Sequence, residues 1–324
     1  MKKLLVTGAG GFIGSHVAEA CVQAGYSVRA FVRYNSRNAW GWLEGSSHLS
    51  GMEIRSGDVR DYDSVFSAMK DCDGVLHLAA LIGIPYSYES PLAYLRTNVD
   101  GTYNVLQAAR ELGLQDVVVT STSETYGTAQ RVPIDETHPL VGQSPYSASK
   151  IAADQLAISY HCSFGLPVKI VRPFNTFGPR QSARAIIPTI VTQILAGQKE
   201  IKLGNLAPTR DLTYVKDTAS AFLEILKCPK LVGEVTNVGM GEEITVDALA
   251  KKVVKLMGAE VRIVEDKERL RPDKSEVERL LSDNSKLRKA TPWTPSFDLE
   301  RGLQETIAFL REHQSLYKAN LYNV

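Results

Sequence analysis

Apolar residues fall into short runs that alternate with a helical rhythm through the first half of the chain. Residues 3–7 form an apolar run that ends at glycines; 15–24 follow with Val17, Ala18 and Cys21 on one helical side. Further strands are predicted over 27–32, 53–56, 74–79 (GVLHLA), 116–120 (DVVVT) and 167–172 (PVKIVR), and helices over 65–70, 92–112 and 147–164. Strand–helix alternation of this kind predicts an α/β fold, a parallel sheet with helices on both faces. DVVVT and GVLHL are unbroken apolar runs, as strands buried on both faces are. The second half is less regular, with more proline and glycine and with arginines in its loops. Helices are predicted there over 187–198, 245–257 and 299–312, with a return to the first sheet near 233–238.

Composition narrows the classes. With 324 residues there is ample material for a buried core, and 37 basic against 36 acidic residues leave a net charge of +1. That balance gives no reason to expect nucleic acid or an anionic membrane as partner. Cys21, Cys72, Cys162 and Cys228 show neither C-x-x-C spacing nor a metal-type cluster with histidine, so no metal is expected. They read as reduced thiols of a cytoplasmic protein. The opening MKKLLVTGAGGFIGSHV is too short in its apolar run, and too broken by glycine, for a signal peptide. No stretch is long and apolar enough to span a bilayer.

Gly8, Gly11 and Gly14 form GxxGxxG between the first strand and the first helix. Glycine there allows a tight turn and lets backbone approach a pyrophosphate, which then sits at the positive helix N-terminus. This predicts a Rossmann-type doubly wound sheet over 1–177, with a return segment at 213–238. A smaller, mixed α/β substrate-binding region is expected, mainly 178–212 and 239–324. An acid that binds the cofactor ribose is expected after the second strand, but the chain reads Phe31-Val32-Arg33-Tyr34-Asn35. Arg33 either pairs with a 2′-phosphate, which would favour NADP, or is solvated. Asp58 and Val59 follow the third strand and Leu78, Ala79 and Ala80 the fourth; an Asp at a strand end is more often a turn former, and the placing of these residues at the adenine edge and the cofactor backbone rests mainly on the family resemblance named below.

Tyr146 and Lys150 form Y-x-x-x-K at the start of a predicted helix, on one helical face. Of the 13 tyrosines, Tyr146 alone has lysine four residues later. The ammonium is expected to lower the tyrosine pKa, making Tyr146 a base for a sugar hydroxyl. STSETYG, residues 121–127, directly follows the DVVVT strand, at the sheet edge where doubly wound folds bind ligands. Thr122 can hydrogen-bond a reacting oxygen, and Glu124 adds a carboxylate that simple epimerisation would not need.

TGAGGFIGSH, GDVRD, HLAA, TNVDGTYNVL, STSETYG, SPYSASK, RPFNTFGPRQ, RDLTYVKD and RPDKSE, in this order, cover nearly the whole chain. Together they resemble the extended short-chain dehydrogenases/reductases of the NAD-dependent epimerase/dehydratase family. NAWGWLE, IPYSYESP, YGTAQ and GPRQSARAIIPT look most like 4,6-dehydratases of legionaminic-acid pathways, which act on UDP- or GDP-N-acetylglucosamine. The resemblance implies a recycled, tightly bound NAD or NADP at Gly8, Gly11, Phe12, Ile13, Gly14, Arg33, Asp58, Val59, Leu78, Ala79, Ala80, Asn98, Tyr146 and Lys150. It implies that Tyr146 takes the C4 hydroxyl proton, Thr122 positions the C4 oxygen, Lys150 holds Tyr146 and the ribose, and Glu124 removes the C5 hydrogen. One departure stands out. dTDP-glucose 4,6-dehydratases place Asp before this Glu as proton donor to the C6 hydroxyl, and here the residue is Ser123. Either Glu124 shuttles both protons, Ser123 relays one, or the reaction is not a dehydration.

Asn175, Arg180, Arg210 and Arg271 match the family's nucleotide-sugar contacts, and arginine suits a diphosphate because its fork binds bidentately. Asp211 and Asp217 read as structural anchors. Trp40 and Trp42 bracket a glycine near the cofactor edge. His77 reads as a satisfied core histidine, and His16 as exposed or near phosphate. The 92–112 and 147–164 stripes match a homodimer interface in relatives, though a buried intrachain face would look the same. Three functions stay open: a 4,6-dehydratase; a C4 epimerase or UDP-glucuronate decarboxylase; and a non-catalytic NAD(P)-binding protein.

Overall fold

The first strand shows how the sheet is built. In the computed structural model, which describes residues 1–318, Leu4 and Val6 point into one apolar layer and Leu5 into the other, as the pleat requires. β1 (Lys3–Thr7) leads to α1 (Phe12–Gln23), β2 (Ser27–Arg33), β3 (Met52–Gly57), α2 (Tyr62–Met69) and β4 (Gly74–His77). The chain continues through α3 (Ile84–Glu89), α4 (Pro91–Tyr94), α5 (Gly101–Glu111), β5 (Asp116–Thr120), α6 (Pro145–Phe164) and β6 (Val168–Pro173). Next come β7 (Asn175–Phe177), α7 (Ile186–Leu195), β8 (Glu200–Leu203), β9 (Thr209–Tyr214), α8 (Val215–Lys227) and β10 (Val235–Val238). The last elements are β11 (Glu243–Thr245), α9 (Val246–Met257), β12 (Arg262–Glu265), α10 (Ser285–Ala290) and α11 (Leu299–Glu312).

Seven strands form one sheet in the order β10-β6-β5-β4-β1-β2-β3, every pair parallel. One face packs on α1 and α8 through Val17, Cys21, Phe222 and Ile225; the other packs on α2, α5 and α6 through Val65, Leu106 and Ala157. The chain winds outward from β1 to β3, then restarts at β4 on β1's other side. A crevice therefore opens at the carboxyl ends of the strands, beside β1 and β4. β10 pairs with β6 from Val235↔Ile170 to Val238↔Pro173, the return the sequence predicts near 233–238.

A second layer is built from the sheet β11-β9-β7 and the parallel pair β12-β8, with Ile190, Val191, Tyr214, Leu249 and Leu303 as its core. Two expectations change. The helix over 92–112 is interrupted: α4 passes into a π-helical stretch, Leu95–Asp100, before α5 begins. Asn98 sits inside that bulge and spends its side chain on the Leu81 backbone, in both directions. The boundaries of the two regions also interleave. β7 joins the smaller sheet, although it precedes residue 178, and Leu287 and Trp293 pack back on the larger sheet. Residues 319–324 of the expected second region lie outside the described residues. No helix among the described residues is long and apolar enough to cross a membrane.

Candidate active site

The glycine turn is closed by contacts that tolerate no side chain. Gly8 has φ +71°, and a Cβ there would lie 2.7 Å from the Ala79 nitrogen. A Cβ on Gly14 would collide with the Gly8 carbonyl oxygen. Gly11 caps α1 without any side-chain cap, so the first-turn N–H groups are free to face the crevice. Trp42 N–H donates to the Gly10 carbonyl at 3.1 Å, which seats the 40–43 segment on the turn. Trp40 lines the crevice, while Trp42 packs its ring on Phe309. Gly8, Gly11, Phe12, Ile13, Gly14, Arg33, Asp58, Val59, Leu78, Ala79 and Ala80 all line one cleft of about 1140 Å³. This glycine-floored, uncapped cradle fits a dinucleotide pyrophosphate. Asp58 is engaged by Arg60, whose hydrogen bond holds its carboxyl below the usual range.

The same cleft takes in Thr120–Glu124, Tyr146 and Lys150. β5 ends at Thr120, and a 3-10 turn over Ser123–Tyr126 follows, capped by Thr122 Oγ1, which accepts from Glu124 N–H at 3.2 Å. Glu124 is thereby fixed at 9 % exposure, a buried carboxylate with its face to the cleft. α6 starts with a capping box between Ser144 and Ser147 and with Pro145 at its first position, which fixes where Tyr146 projects. The Tyr146 hydroxyl shares a hydrogen bond with the Thr122 side chain, and its ring stands edge-on to Tyr94 at 6.2 Å. The three groups thus meet at one wall of the cleft.

The expected lowering of the Tyr146 pKa by Lys150 is not what the geometry gives. Lys150 Nζ donates to the Thr120 carbonyl at 2.6 Å. Burial pushes the Tyr146 phenol up, and the nearby Glu124 charge adds to this. Burial also lowers Lys150, against the opposing pull of Asp154.

At the far end of the cleft, Asn175, Arg210 and Arg271 line the wall. Arg210 Nη2 and Arg271 Nη1 both reach Glu276 Oε1, at 3.2 and 3.4 Å. Glu276 lies within RPDKSE, and its signal in the sequence was an acid five residues past Arg271. Arg180 departs from expectation. It has φ +72° and turns its guanidinium to Glu19 of α1, 2.9 Å away, outside the cleft lining. Arg184, four residues on, lines the cleft instead, its Nη1 beside Gly83. Asn98 stands behind the wall, holding the Leu81 backbone and Ser149.

The remaining side chains are structural. Asp211 accepts from the N–H groups of Met240, Gly241 and Ser282, and Asp217 from those of Ser296 and Phe297. His77 is buried between the Thr7 and Thr102 hydroxyls. His16 is neither exposed nor in the cleft lining; it is 8 % exposed and meets the Pro179 carbonyl.

Residues 5–306 match the family described as GDP-mannose 4,6 dehydratase. The chain is 31% identical over 321 residues to a UDP-N-acetyl-alpha-D-glucosaminuronate decarboxylase of Bacillus cytotoxicus, covering 96% of this chain and 98% of that protein. It is 31% identical over 324 residues to a dTDP-glucose 4,6-dehydratase of Streptomyces griseus, covering 97% and 96%. Among solved structures, UDP-glucuronic acid 4-epimerase from Bacillus cereus, in complex with UDP-glucuronic acid and NAD, superposes with a TM-score of 0.87. That pair shares 26% identity over 96% of this chain and 99% of the other. Dehydratases, epimerases and a decarboxylase of nucleotide-linked sugars therefore surround this sequence at similar distance. Glycine cradle, Tyr/Lys helix, seven-stranded sheet and end-to-end match agree: the chain belongs to the GDP-mannose 4,6 dehydratase family, among the extended short-chain dehydrogenases/reductases of epimerase/dehydratase type.

Proposed function

We propose that the chain is a nucleotide-sugar 4,6-dehydratase acting on UDP- or GDP-N-acetylglucosamine with a tightly held NAD or NADP. The observation that carries this reading is Glu124, a buried carboxylate facing the same cleft as the Tyr146 phenol and the Thr122 hydroxyl. A bound dinucleotide would supply the hydride chemistry, taking hydride at C4 and giving it back at C6. The residues proposed to hold it are those of the glycine cradle, with Arg33 at the ribose end tilting the choice toward NADP.

Thr122 holds the C4 oxygen and Tyr146 takes the C4 hydroxyl proton. The C4 carbonyl acidifies the C5 hydrogen, which Glu124 removes as a proton. The C6 hydroxyl leaves with that proton as water, directly from Glu124 or through Ser123. The proton collected at C4 balances the one returned to C5, so the net change is loss of one water. Asn175, Arg210 and Arg271 are assigned to the diphosphate and nucleoside. Arg180, paired with Glu19, is assigned to the frame of the site.

Uronate decarboxylation is the second reading. Arg184 is exposed in the cleft lining beside Gly83 and offers a cation to a C6 carboxylate. We also place the protein in the cytoplasm as a homodimer, joined through α4, α5 and the end of α6. Leu92, Tyr103 and Phe164 are exposed on those elements and Leu95 on the π-helical stretch between α4 and α5, and exposed apolar side chains that cluster mark interaction faces.

The test is incubation with UDP-GlcNAc, GDP-GlcNAc, GDP-mannose and UDP-glucuronate, read by mass spectrometry. Loss of water from an N-acetylglucosamine substrate supports the proposal. An isomer of unchanged mass or loss of carbon dioxide overturns it in favour of an epimerase or a decarboxylase. Dinucleotide binding without turnover would leave a sensor.

A further inference from the structure

The acid–base groups of the cleft hang from separate pieces of backbone. Tyr146 and Lys150 belong to α6, Thr122 follows β5, and Glu124 rides on the turn beyond it. One carboxylate outside the cleft lining touches or reaches all of these pieces. Asp154 lies one helical turn after Lys150 on α6, on the same face, and is fully buried. Its Oδ2 accepts from Ser121 Oγ at 2.7 Å, from Arg172 Nη2 at 2.8 Å and from Arg172 Nε at 3.1 Å. Ser121 is the residue before Thr122. Arg172, on β6, uses its Nη1 to donate to the Tyr126 hydroxyl at 3.0 Å and lies 4.9 Å from that ring's centre. Tyr126 closes the turn that carries Glu124, and its hydroxyl donates in turn to Asn237 on β10.

The charge balance of this cluster is uneven. Oδ2 carries all three hydrogen bonds, while Oδ1 has no partner among the described residues. Lys150 is buried as well, and among the described residues its only acceptor is the Thr120 carbonyl. A buried ammonium with one neutral acceptor sheds its proton readily unless a negative charge stands close by. The titratable groups that act on it are Asp154 on its own helix and His77 on β4; Glu124 and Tyr94 act on its helix neighbour Tyr146, and Arg172 on β6 joins Asp154 to Tyr126. His77 is held neutral by burial and by Lys150 itself, its pKa lowered to about 3. Asp154 is the carboxylate whose field supports the charged lysine.

We infer that Asp154 is a positioning residue of this site: its buried carboxylate keeps Lys150 charged and locks the catalytic helix to the turn bearing Thr122 and Glu124. The inference rests on the proposed function only for the identity of the reaction. The demand on Lys150 is the same for any chemistry that begins by oxidising C4.

Three variants separate charge from shape. Asp154→Asn keeps the outline and one acceptor oxygen but removes the charge. Ser121→Ala removes a hydrogen bond and keeps the charge. Asp154→Asn combined with Arg172→Met removes both buried charges, so that folding is not burdened with an unpaired guanidinium. Two readouts are taken against pH: dinucleotide affinity by calorimetry, with NAD and NADP each as probe, and turnover of whichever nucleotide-sugar the wild type consumes. The limb at high pH, where Lys150 loses its proton, should move down by about one pH unit in Asp154→Asn. It should move the same way, by less, in the double variant, because the Arg172 charge leaves as well. The kcat should fall about tenfold or more with KM for the sugar changed less than about twofold. Ser121→Ala should leave the limb in place. An unmoved limb in folded Asp154→Asn and in the double variant, or an equal movement in Ser121→Ala, overturns the inference. If the wild type consumes none of the sugars, the dehydratase reading fails, and the dinucleotide titration still decides the role of Asp154.

Discussion

Tyr146 is held as a phenol by burial, with its hydroxyl on Thr122 and a carboxylate nearby. A base in that state works better as pH rises. The rate of C4 oxidation should therefore increase with pH above neutrality, followed as reduced-nicotinamide absorbance in a single turnover. Tyr146→Phe should flatten that rise and lower the rate by roughly 10²–10⁴-fold. A rate in Tyr146→Phe equal to the wild type would remove the residue from the chemistry. The buried histidines make a separate prediction about stability. His16 and His77 have pKa values lowered from 6.5 to about 4 and about 3, mainly by burial. The unfolded chain binds protons there that the folded chain refuses. Their contribution is thus present above pH 6.5 and is lost as pH falls toward 4. Asp211, raised to about 6 by burial, acts in the opposite sense and offsets part of the loss. The melting temperature should drop as pH is lowered from 7 toward 5, and His77→Gln should show a shallower drop. Parallel slopes would contradict this. Much of the candidate site's geometry was legible at this scale, because GxxGxxG, S-T-S-E and Y-x-x-x-K are local patterns that follow from one strand end or one helix turn. Arg180 was not: its direction depends on its φ of +72° and on Glu19, 161 residues away. Neither was the sharing of Glu276 by Arg210 and Arg271, a contact between distant segments.

Among the elements, α6 couples local sequence to chemistry most tightly. Its capping box positions the turn that holds Tyr146. Ser144→Ala should cost about 1 kcal/mol of stability, read by denaturant unfolding, because the Ser147 N–H loses its acceptor. It should also slow C4 oxidation, since Tyr146 lies two residues away; unchanged stability and rate would deny the cap that role. The strands of the large sheet were readable because buried parallel strands leave unbroken apolar runs, such as Val117–Val119. The strands of the second layer were not. β7, β8, β11 and β12 span three or four residues each, too few for a period to emerge. The break between α4 and α5 escaped for another reason: Asn98 reads as one polar residue in a helical pattern, and its demand for the Leu81 backbone comes from across the fold.

The whole molecule joins a dinucleotide cradle at the β1–β4 crevice to an arginine-lined wall from the smaller layer, and both borders meet at Tyr146 and Glu124. Gly14→Ala should damage both, since its methyl group would be driven into the Gly8 carbonyl. Loss of dinucleotide affinity, or of folding, is the expected result, and wild-type affinity would refute the cradle. In the proposed reaction a hydride leaves C4 and comes back to C6 of the same sugar. The direct measurement is incubation of UDP- and GDP-N-acetylglucosamine, deuterated at C4, with the enzyme, and location of the label by NMR and mass spectrometry. The expected product is lighter by one water and carries deuterium at C6, with no C5 exchange with solvent in Glu124→Gln. A product of unchanged mass with deuterium still at C4 would contradict it.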